Sequence, residues 1–282
     1  MKFLLPAAVL LSAAAVAATV PCLKTRAYRL TDPRLTREVR LLQISDLHDS
    51  RFGKGQAHLL RAIERFRPDI ICLTGDIFDD RTDNRSSALL LRALAGKYPL
   101  YFVEGNHELY CAHRDDNLAL LRACGVTILD GTQAQWEKDG QILTICGVSD
   151  PVSEDGNASA RQKIKCAPPE QTFAQRLASA ARPTGHYMIL LSHRPERWEQ
   201  YQTFPFDLIL SGHAHGGQWR IPGILNGTYA PHQGWFPRHA GGLYRLAGGR
   251  IHIVSRGLSK QLKIPRIFNP PELCAILLTP PD

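Results

Sequence analysis

The sequence lacks the cysteine patterns of small disulfide-rich domains and of cysteine-type zinc modules. Its seven cysteines are an odd number, and no two of them have a Cys-x-x-Cys spacing, so neither kind of fold is predicted. The chain also has no dense run of lysine or arginine, and its aromatic residues do not alternate with basic ones as in nucleic-acid stacking platforms. We therefore predict no specific nucleic-acid binding.

No internal repeat divides the chain, and its composition is that of an ordinary globular protein. With 282 residues, of which 44% are hydrophobic and 21% charged, it is long enough to bury a large core in one domain. The formal net charge of +8 suits an anionic partner such as a phosphorylated substrate, a nucleic acid or an acidic membrane, although solubility alone explains it equally well. We expect a monomer.

The first residues differ from the rest, because Phe3 to Leu23 contains no charge and is rich in Ala, Val and Leu. Its length is close to the roughly 20 residues that span a bilayer, and basic residues follow it, which favours an uncleaved membrane anchor. The alternative is export after signal-peptide cleavage near Ala15-Val16-Ala17, without a twin-arginine pair. We therefore predict an anchor or signal over 1–24, a connector over 25–39 and one domain over 40–282.

Three strand–helix units are predicted in succession after the connector. Apolar runs and helical spacing give strands at 40–45, 70–74 and 100–103 and helices at 55–67, 86–95 and 115–124. The second half is richer in strands, at 126–129, 133–137, 143–148, 188–191, 208–210, 242–246, 250–255 and 273–278, with one helix at 170–181 and a loop-like stretch at 149–169. This pattern predicts an α/β fold in which two sheets pack together with helices outside.

Seven side chains that bind metals well occur at or just after predicted strands. They lie in Ser-Asp-Leu-His, Thr-Gly-Asp-Ile-Phe-Asp, Gly-Asn-His-Glu, Leu-Ser-His-Arg and Ser-Gly-His-Ala-His-Gly-Gly-Gln, and they are Asp46, His48, Asp76, Asn106, His193, His213 and His215. A sheet that brings three carboxylate or amide oxygens and four imidazoles to one edge can hold two metal ions. The set therefore predicts metal-assisted hydrolysis.

The five strings differ in how specific they are. Asp-x-His, Gly-Asn and a lone His193 each have a common structural explanation as a helix cap, a turn or a hydrogen-bonded residue. His213 and His215 are more informative, because two imidazoles one residue apart and flanked by small residues can reach two neighbouring metals. Asp76 has two oxygens and can bridge them. The joint occurrence of all five strings, in order, favours the site.

Together the strings resemble those of the calcineurin-like metallophosphoesterase superfamily, over roughly residues 40–278. The resemblance implies a four-layer αββα sandwich of two mixed sheets flanked by helices, with the metals at the carboxyl edge of the sheets. It implies that one metal is held by Asp46, His48 and His215, that the other is held by Asn106, His193 and His213, and that Asp76 bridges them.

The resemblance also places two further residues beside the metals. His107 would be the donor that stabilises the transition state, and Asp79 would orient it and raise its pKa, although local loop capping is an alternative role for Asp79. Mixed imidazole, carboxylate and amide ligands suit two divalent or trivalent ions, and favour Mn, Fe or Zn over Ca or Mg. The expected reaction is attack of a metal-activated hydroxide on a phosphodiester or pyrophosphate bond.

Departures from the family pattern narrow the subclass. Phosphoserine and phosphothreonine phosphatases continue Gly-Asp-x-x-Asp with Arg-Gly, whereas Asp80-Arg81 follows here. The chain more closely resembles a bacterial branch that often carries an N-terminal signal or membrane segment, on Arg51-Phe52-Gly53, His215-Gly216-Gly217-Gln218, Ser255-Arg256-Gly257 and Asn269-Pro270-Pro271-Glu272. That branch includes phosphodiesterases and enzymes similar to the UDP-diacylglucosamine pyrophosphohydrolases of lipid A synthesis.

The segment from Gln218 to Phe236 follows the last metal string and is rich in aromatic, Gly and Pro residues. One hypothesis is an apolar groove for a lipid-linked substrate near the membrane, and the other is core packing of a long loop. A small phosphorylated substrate, a nuclease of the same superfamily and a non-catalytic metal-binding scaffold are the remaining alternatives. The scaffold is disfavoured because no ligand position is substituted.

Overall fold

The computed structural model describes residues 22–155, 164, 170–260 and 265–281. Six strands form the first sheet: β1 Lys24–Thr31, β2 Val39–Ile44, β3 Ile70–Thr74, β4 Leu100–Val103, β5 Val126–Ile128 and β14 Glu272–Thr279. Their order is β1-β14-β2-β3-β4-β5. Strands β2 to β5 are parallel, whereas β14 is antiparallel to β2 and parallel to β1.

Six further strands form the second sheet: β6 Thr132–Lys138, β7 Gln141–Val148, β8 Tyr187–Ser192, β9 Leu208–Ser211, β12 Gly242–Arg245 and β13 Ile251–Val254. Their order is β12-β13-β9-β8-β7-β6, with β13, β9, β8 and β7 parallel and the two outer strands antiparallel. A separate hairpin pairs β10 Tyr229–Ala230 with β11 Gly234–Trp235. Both large sheets are therefore mixed.

Seven α-helices are described: α1 Ala57–Phe66, α2 Arg85–Leu94, α3 Asn106–Tyr110, α4 Arg114–Ala123, α5 Val152–Asp155, α6 Phe173–Ala180 and α7 Trp198–Tyr201. Helices α1, α2 and α4 pack on the outer face of the first sheet, and α6 and α7 pack on the outer face of the second. The fold is thus the four-layer αββα sandwich that the sequence predicts.

The two-residue repeat of a strand explains how each sheet is covered on both faces. In β3, Ile70 and Cys72 lie in the core between the sheets, whereas Ile71 and Leu73 pack against the helices. The opposite face of that central core comes from residues of the second sheet such as Ile189. Because the buried parallel strands are apolar on both faces, the polar groups of the site lie only where the strands end.

One stretch interpreted as a connector is a strand. Lys24–Thr31, of which all but the first residue fall in the predicted connector 25–39, forms β1. This strand pairs with β14 over its whole length. Six of its eight residues are exposed, because it is an edge strand, and so its sequence lacks the apolar run that marks the buried strands. The folded domain therefore begins before residue 40.

The proposed anchor or signal, residues 1–24, lies almost entirely outside the described residues, which begin at Cys22. Within the described part of the chain, no helix has the length and apolar character needed to cross a bilayer. The loop-like stretch 149–169 begins with the short helix α5, and most of the remainder lies outside the described residues.

Candidate dinuclear metal site

The metal-binding strings lie in loops that follow β2, β3, β4, β8 and β9 at one edge of the sandwich. Two hydrogen bonds join the two sheets beneath this edge. The Gln43 side-chain amide donates to the Ser211 carbonyl at 2.9 Å, and Nδ1 of His193 lies 2.7 Å from the Thr74 carbonyl. The loops of both sheets are therefore held against one another, and the predicted ligands converge there.

Five of the seven predicted ligands have a left-handed backbone. Their φ angles lie between 44° and 64°, at Asp46, His48, Asp76, His213 and His215. Only a few per cent of non-glycine residues adopt positive φ, and such strain of about 1–3 kcal/mol each concentrates at functional sites. The backbone is therefore strained at these positions, and the strained conformation turns the five side chains toward a common point.

Two glycines allow the loops to approach closely. A Cβ on Gly105 would overlap Oδ1 of Asp76, and a Cβ on Gly212 would overlap the Ser45 hydroxyl and Asp46. Neither glycine has a positive φ, so the available space and not the backbone conformation requires a glycine at both positions. This accounts for the glycine in Gly-Asn-His-Glu and in Gly-His-Ala-His.

The ligands form two neighbouring groups. Potential ligand atoms of Asp46, His48 and His215 lie within 4.8 Å of one another, and so do those of Asp76, His193 and His213. Asp76 joins the groups, because its Oδ2 lies 3.1 Å from Nε2 of His193 and 3.4 Å from Nε2 of His48. The structure thus brings six of the seven predicted ligands together, with Asp76 linking the two groups.

Unpartnered buried atoms show that this donor set fits metal ions. In the described residues, five of the seven predicted ligands have a buried side-chain atom without a hydrogen-bond partner: Asp46 Oδ2, His48 Nε2, Asn106 Oδ1, His213 Nε2 and His215 Nδ1. An unsatisfied buried polar group costs about 1–3 kcal/mol, so five of them in one place require a common explanation. Metal coordination supplies one, since all five are nitrogen or oxygen donors.

The electrostatics of the buried edge keep two imidazoles neutral. Burial, together with Arg194 and His193, holds the pKa of His213 well below its usual range. Burial, together with His48 and Arg266, does the same for the pKa of His215. A neutral imidazole has a lone pair for a metal, so both residues are in the protonation state that coordination needs.

A family model for the calcineurin-like phosphoesterases matches residues 39–217, which is more than half of the chain and contains all seven predicted ligands. The chain belongs to this family. It is therefore a metal-dependent phosphoester hydrolase of a dinuclear family, as the sequence predicts.

Curated relatives match this phosphoesterase along most of its length. An uncharacterized metallophosphoesterase of Aquifex aeolicus is 28% identical over 264 residues, covering 91% of this chain and 92% of that protein. YkuE of Bacillus subtilis, an uncharacterized metallophosphoesterase, is 27% identical and covers 85% of this chain and 78% of its own. Phosphodiesterase YaeI of Escherichia coli is 28% identical, covering 78% and 74%.

Solved structures share the fold at lower identity. NAD nucleotidase of Haemophilus influenzae superimposes with a TM-score of 0.52 at 18% identity, covering 78% of this chain and 45% of that one. TT1561 of Thermus thermophilus gives a TM-score of 0.50 at 15% identity, covering 79% and 91%. These likenesses concern the fold alone.

Asp79 has a different partner from the one predicted. In this phosphoesterase its Oδ2 lies 3.1 Å from Nδ1 of His48 and 3.9 Å from Nδ1 of His107. Burial opposes the change, but hydrogen bonds from His48 and the Arg81 backbone lower the pKa of Asp79 to about 2. Asp79 therefore orients the predicted ligand His48, as carboxylates commonly do for coordinating histidines.

The direct partner of His107 is Asp80, which the sequence interpretation missed. Nδ1 of His107 lies 2.6 Å from Oδ1 of Asp80. Burial opposes protonation, but Asp76, Asp80 and Asp79 together raise the pKa of His107 to about 9. The adjacent carboxylate at 79 met the family pattern, so the sequence offered no signal to choose between two consecutive aspartates.

Glu108 is a second residue that sequence reasoning missed. Its carboxylate accepts four backbone N–H bonds: from Asp76 and Gly105 at 2.8 Å, from Ile77 at 2.7 Å and from Phe78 at 3.0 Å. It thereby joins the loop after β3 to the loop after β4. Its position, as the third residue of α3, is typical of a helix-capping glutamate, and that spacing could have identified it.

Glu196, in the short 3-10 helix Pro195–Arg197, and His232, in the turn between β10 and β11, lie beside the second group. The His232 ring lies 5.2 Å from the His213 ring, and ligand-capable atoms of Glu196, His213 and His232 lie within 4.8 Å of one another. Burial, with Arg194, lowers the pKa of His232 to about 4. No sequence pattern marks these two positions, because they are brought to the edge by loops rather than by strand ends.

Proposed function

We propose that this phosphoesterase hydrolyses a phosphodiester or pyrophosphate bond at the metal-bearing edge. The observation that supports it is the complete ligand set, with Asp76 between two groups and five unpartnered buried donors. In this proposal Asp46, His48 and His215 hold one ion, whereas Asn106, His193 and His213 hold the other. When bound, two such ions lower the pKa of water and neutralise charge on the phosphoryl group.

His107 supplies the acid in this proposal. Its Nδ1 is committed to Asp80, which leaves Nε2 to donate a proton to the departing oxygen or a hydrogen bond to the phosphoryl oxygens. Its side chain is 21% exposed, so unlike the fully buried ligand His193 it is accessible from solvent. Because the His107 side chain is partly exposed, its ring can contact a bound substrate directly.

Metal content and hydrolysis measured on the same variants test the proposal. We expect Asp76→Asn to bind both ions less tightly, since the shared ligand is removed. Its rate of hydrolysis should fall by about a hundredfold or more. Asp115→Asn is the matched control, because that carboxylate is fully exposed. Mn, Fe and Zn are the proposed metals. Unchanged activity and metal content in Asp76→Asn would refute the bridging assignment.

A substrate panel tests the bond that is cleaved. The panel contains chromogenic mono- and diesters, UDP-diacylglucosamine and single-stranded DNA, and we expect diester or pyrophosphate cleavage. The name of the Escherichia coli relative, a phosphodiesterase, supports the diester. Preferred cleavage of the monoester would contradict the proposal, whereas preferred cleavage of the DNA with steep salt dependence would replace it by the nuclease alternative.

We further propose that the substrate is lipid-linked. In support, Trp235 is 73% exposed and Phe236 70% exposed, so neither side chain is used for core packing. They stand on the hairpin β10–β11 and just after it, in the segment that follows the ligand His215. Trp235→Ser with Phe236→Ser should impair UDP-diacylglucosamine hydrolysis far more than that of a small chromogenic diester. An equal fall in the rate of hydrolysis of the two substrates would refute this part of the proposal.

A further inference from the structure

Exposed apolar side chains are concentrated at the metal-bearing edge. Of the eight large hydrophobic side chains exposed in the described residues, seven lie within residues 219–236 or at 268: Trp219, Ile221, Ile224, Tyr229, Trp235, Phe236 and Phe268. We call these seven residues the apolar rim. The eighth, Leu89, lies on α2. Large exposed apolar side chains concentrated in this way indicate an interaction surface.

Contacts tie the apolar rim to the metal ligands. The Asn269 side-chain amide donates to the carbonyls of His215 at 2.7 Å and of Gln218 at 3.1 Å. The Trp219 indole donates to the Pro265 carbonyl at 3.0 Å, and Trp219 pairs with Ile267. The segments that carry Trp219 and Phe268 are therefore anchored to the loop that carries His215, so the apolar rim adjoins the site on that side.

The described part of the chain begins at the same edge. Lys24 pairs with Glu272 at the start of both β1 and β14, and its N–H donates to the Pro271 carbonyl at 2.9 Å. The N–H of Glu272 in turn donates to the Gly257 carbonyl, and Gly257 lies against Asp46. The last residue of the uncharged sequence Phe3 to Leu23 is therefore connected to the predicted ligand Asp46 through Lys24, Glu272 and Gly257.

A cationic cleft begins beside that point and runs along α1 toward the start of β2. It has a volume of about 720 Å³ and lies between β1, helix α1 and Lys260. Among the described residues that line it there is no carboxylate, but there are five cationic side chains: Lys24, Arg40, Arg61, Arg65 and Lys260. Phe52 and Phe66 line it as well. Cations beside an apolar patch are the composition that binds acidic lipid headgroups.

We infer that the metal-bearing edge docks onto an anionic bilayer surface, with the apolar rim entering the headgroup region and the cleft facing acidic headgroups. Exposed Trp and Tyr beside aliphatic residues are suited to that interface. The position where Lys24 joins the fold fixes the orientation, because a membrane segment over 3–23 would leave no linker between the bilayer and the site. The inference holds whichever phosphoester is cleaved.

Quenching of tryptophan emission by brominated lipids tests the docking. The full chain is reconstituted in vesicles of phosphatidylcholine and phosphatidylglycerol, with and without bromine on the acyl chains. Residues 1–23 contain no tryptophan, so quenching reports on the domain and not on the apolar segment. We expect brominated lipid to quench the wild type. Trp219→Phe with Trp235→Phe should abolish the quenching, while the two remaining tryptophans, the buried Trp136 and the half-buried Trp198, still emit.

Charge variants locate the surface. Ile224→Asp with Phe236→Asp should remove most of the quenching, and both side chains are exposed, so folding is not at issue. Leu89→Asp is the matched control and should change nothing. Arg61→Gln and Arg65→Gln should each lower the affinity for acidic vesicles about fivefold. Neither substitution should change the affinity for vesicles of pure phosphatidylcholine.

Three results would overturn the inference: no quenching of the wild type, equal quenching of the double Trp→Phe variant, or a doubled sedimenting mass without quenching, which would assign the rim to a second copy. Hydrolysis of a water-soluble diester is measured in the same samples. Quenching without hydrolysis would leave the docking intact and refute the proposed function, so the two failures are separable.

Discussion

Replacing Glu108 by Gln should destabilise the protein strongly although it changes only one atom. Each carboxylate oxygen of Glu108 accepts two backbone N–H groups. Glutamine keeps one oxygen and turns an NH₂ toward the other two donors, which then remain buried and unpaired. At about 1–3 kcal/mol for each unsatisfied donor, the free energy of unfolding should fall by about 2–6 kcal/mol.

The assay is thermal unfolding followed by circular dichroism, with saturating metal. For a domain of this size about 1 kcal/mol corresponds to roughly 2–4 °C, so the melting temperature should fall by roughly 5–20 °C. Glu64→Gln on α1 is the matched control, because Glu64 is exposed, and it should melt with the wild type.

The protonation state of Glu108 decides the outcome. Burial and Asp76 raise the pKa of Glu108 to about 8, whereas the backbone bonds from Phe78 and Asp76 lower it. Unfolding is therefore measured at about pH 9, above this pKa, where Glu108 is charged. The four N–H donors then all face a carboxylate oxygen. Glutamine resembles the protonated acid, so a melting temperature within about 2 °C of wild type would refute the reasoning.

Three further predictions concern the metals and the acid. Asp80→Asn should slow hydrolysis of alkyl diesters much more than of nitrophenyl diesters, because only the poor leaving group needs the proton held on His107; equal slowing would contradict that role. Asp79→Asn should weaken metal binding about 10–100-fold, as titration calorimetry would measure, by releasing His48. Removing metal with a chelator should lower the melting temperature, and adding it back should raise stability by about 2.7 kcal/mol at one hundred times Kd; a metal-independent melting curve would argue against the five donors being ligands.

The strands that build the site could be predicted because they are buried on both faces. β3 and β4 have the bounds that their apolar runs indicate, and polar ligands directly after such runs can lie only at the sheet edge. β1 could not be predicted in this way, because an edge strand exposes six of its eight residues and owes its conformation to β14 rather than to its own pattern.

The ligands were easier to predict than the residues that support them. A ligand needs a particular donor at a strand end, and its chemistry is visible in the residue type. Asp79 and Asp80 are chemically identical neighbours, and only the backbone turn decides that one contacts His48 and the other His107. Glu196 and His232 come from loops far apart in sequence, so nothing local indicates that both lie beside His213.

The left-handed backbone at five ligand positions limits how the site can change over evolutionary time. Asn, Asp and Gly tolerate positive φ, whereas β-branched residues do not. A descendant that lost its catalytic activity would therefore not fill these positions with Val or Ile, even where the core could hold them. We expect Asn and Gly to accumulate at Asp46, Asp76 and His213 instead, so that an inactive copy would keep the turns of the site long after its chemistry had gone.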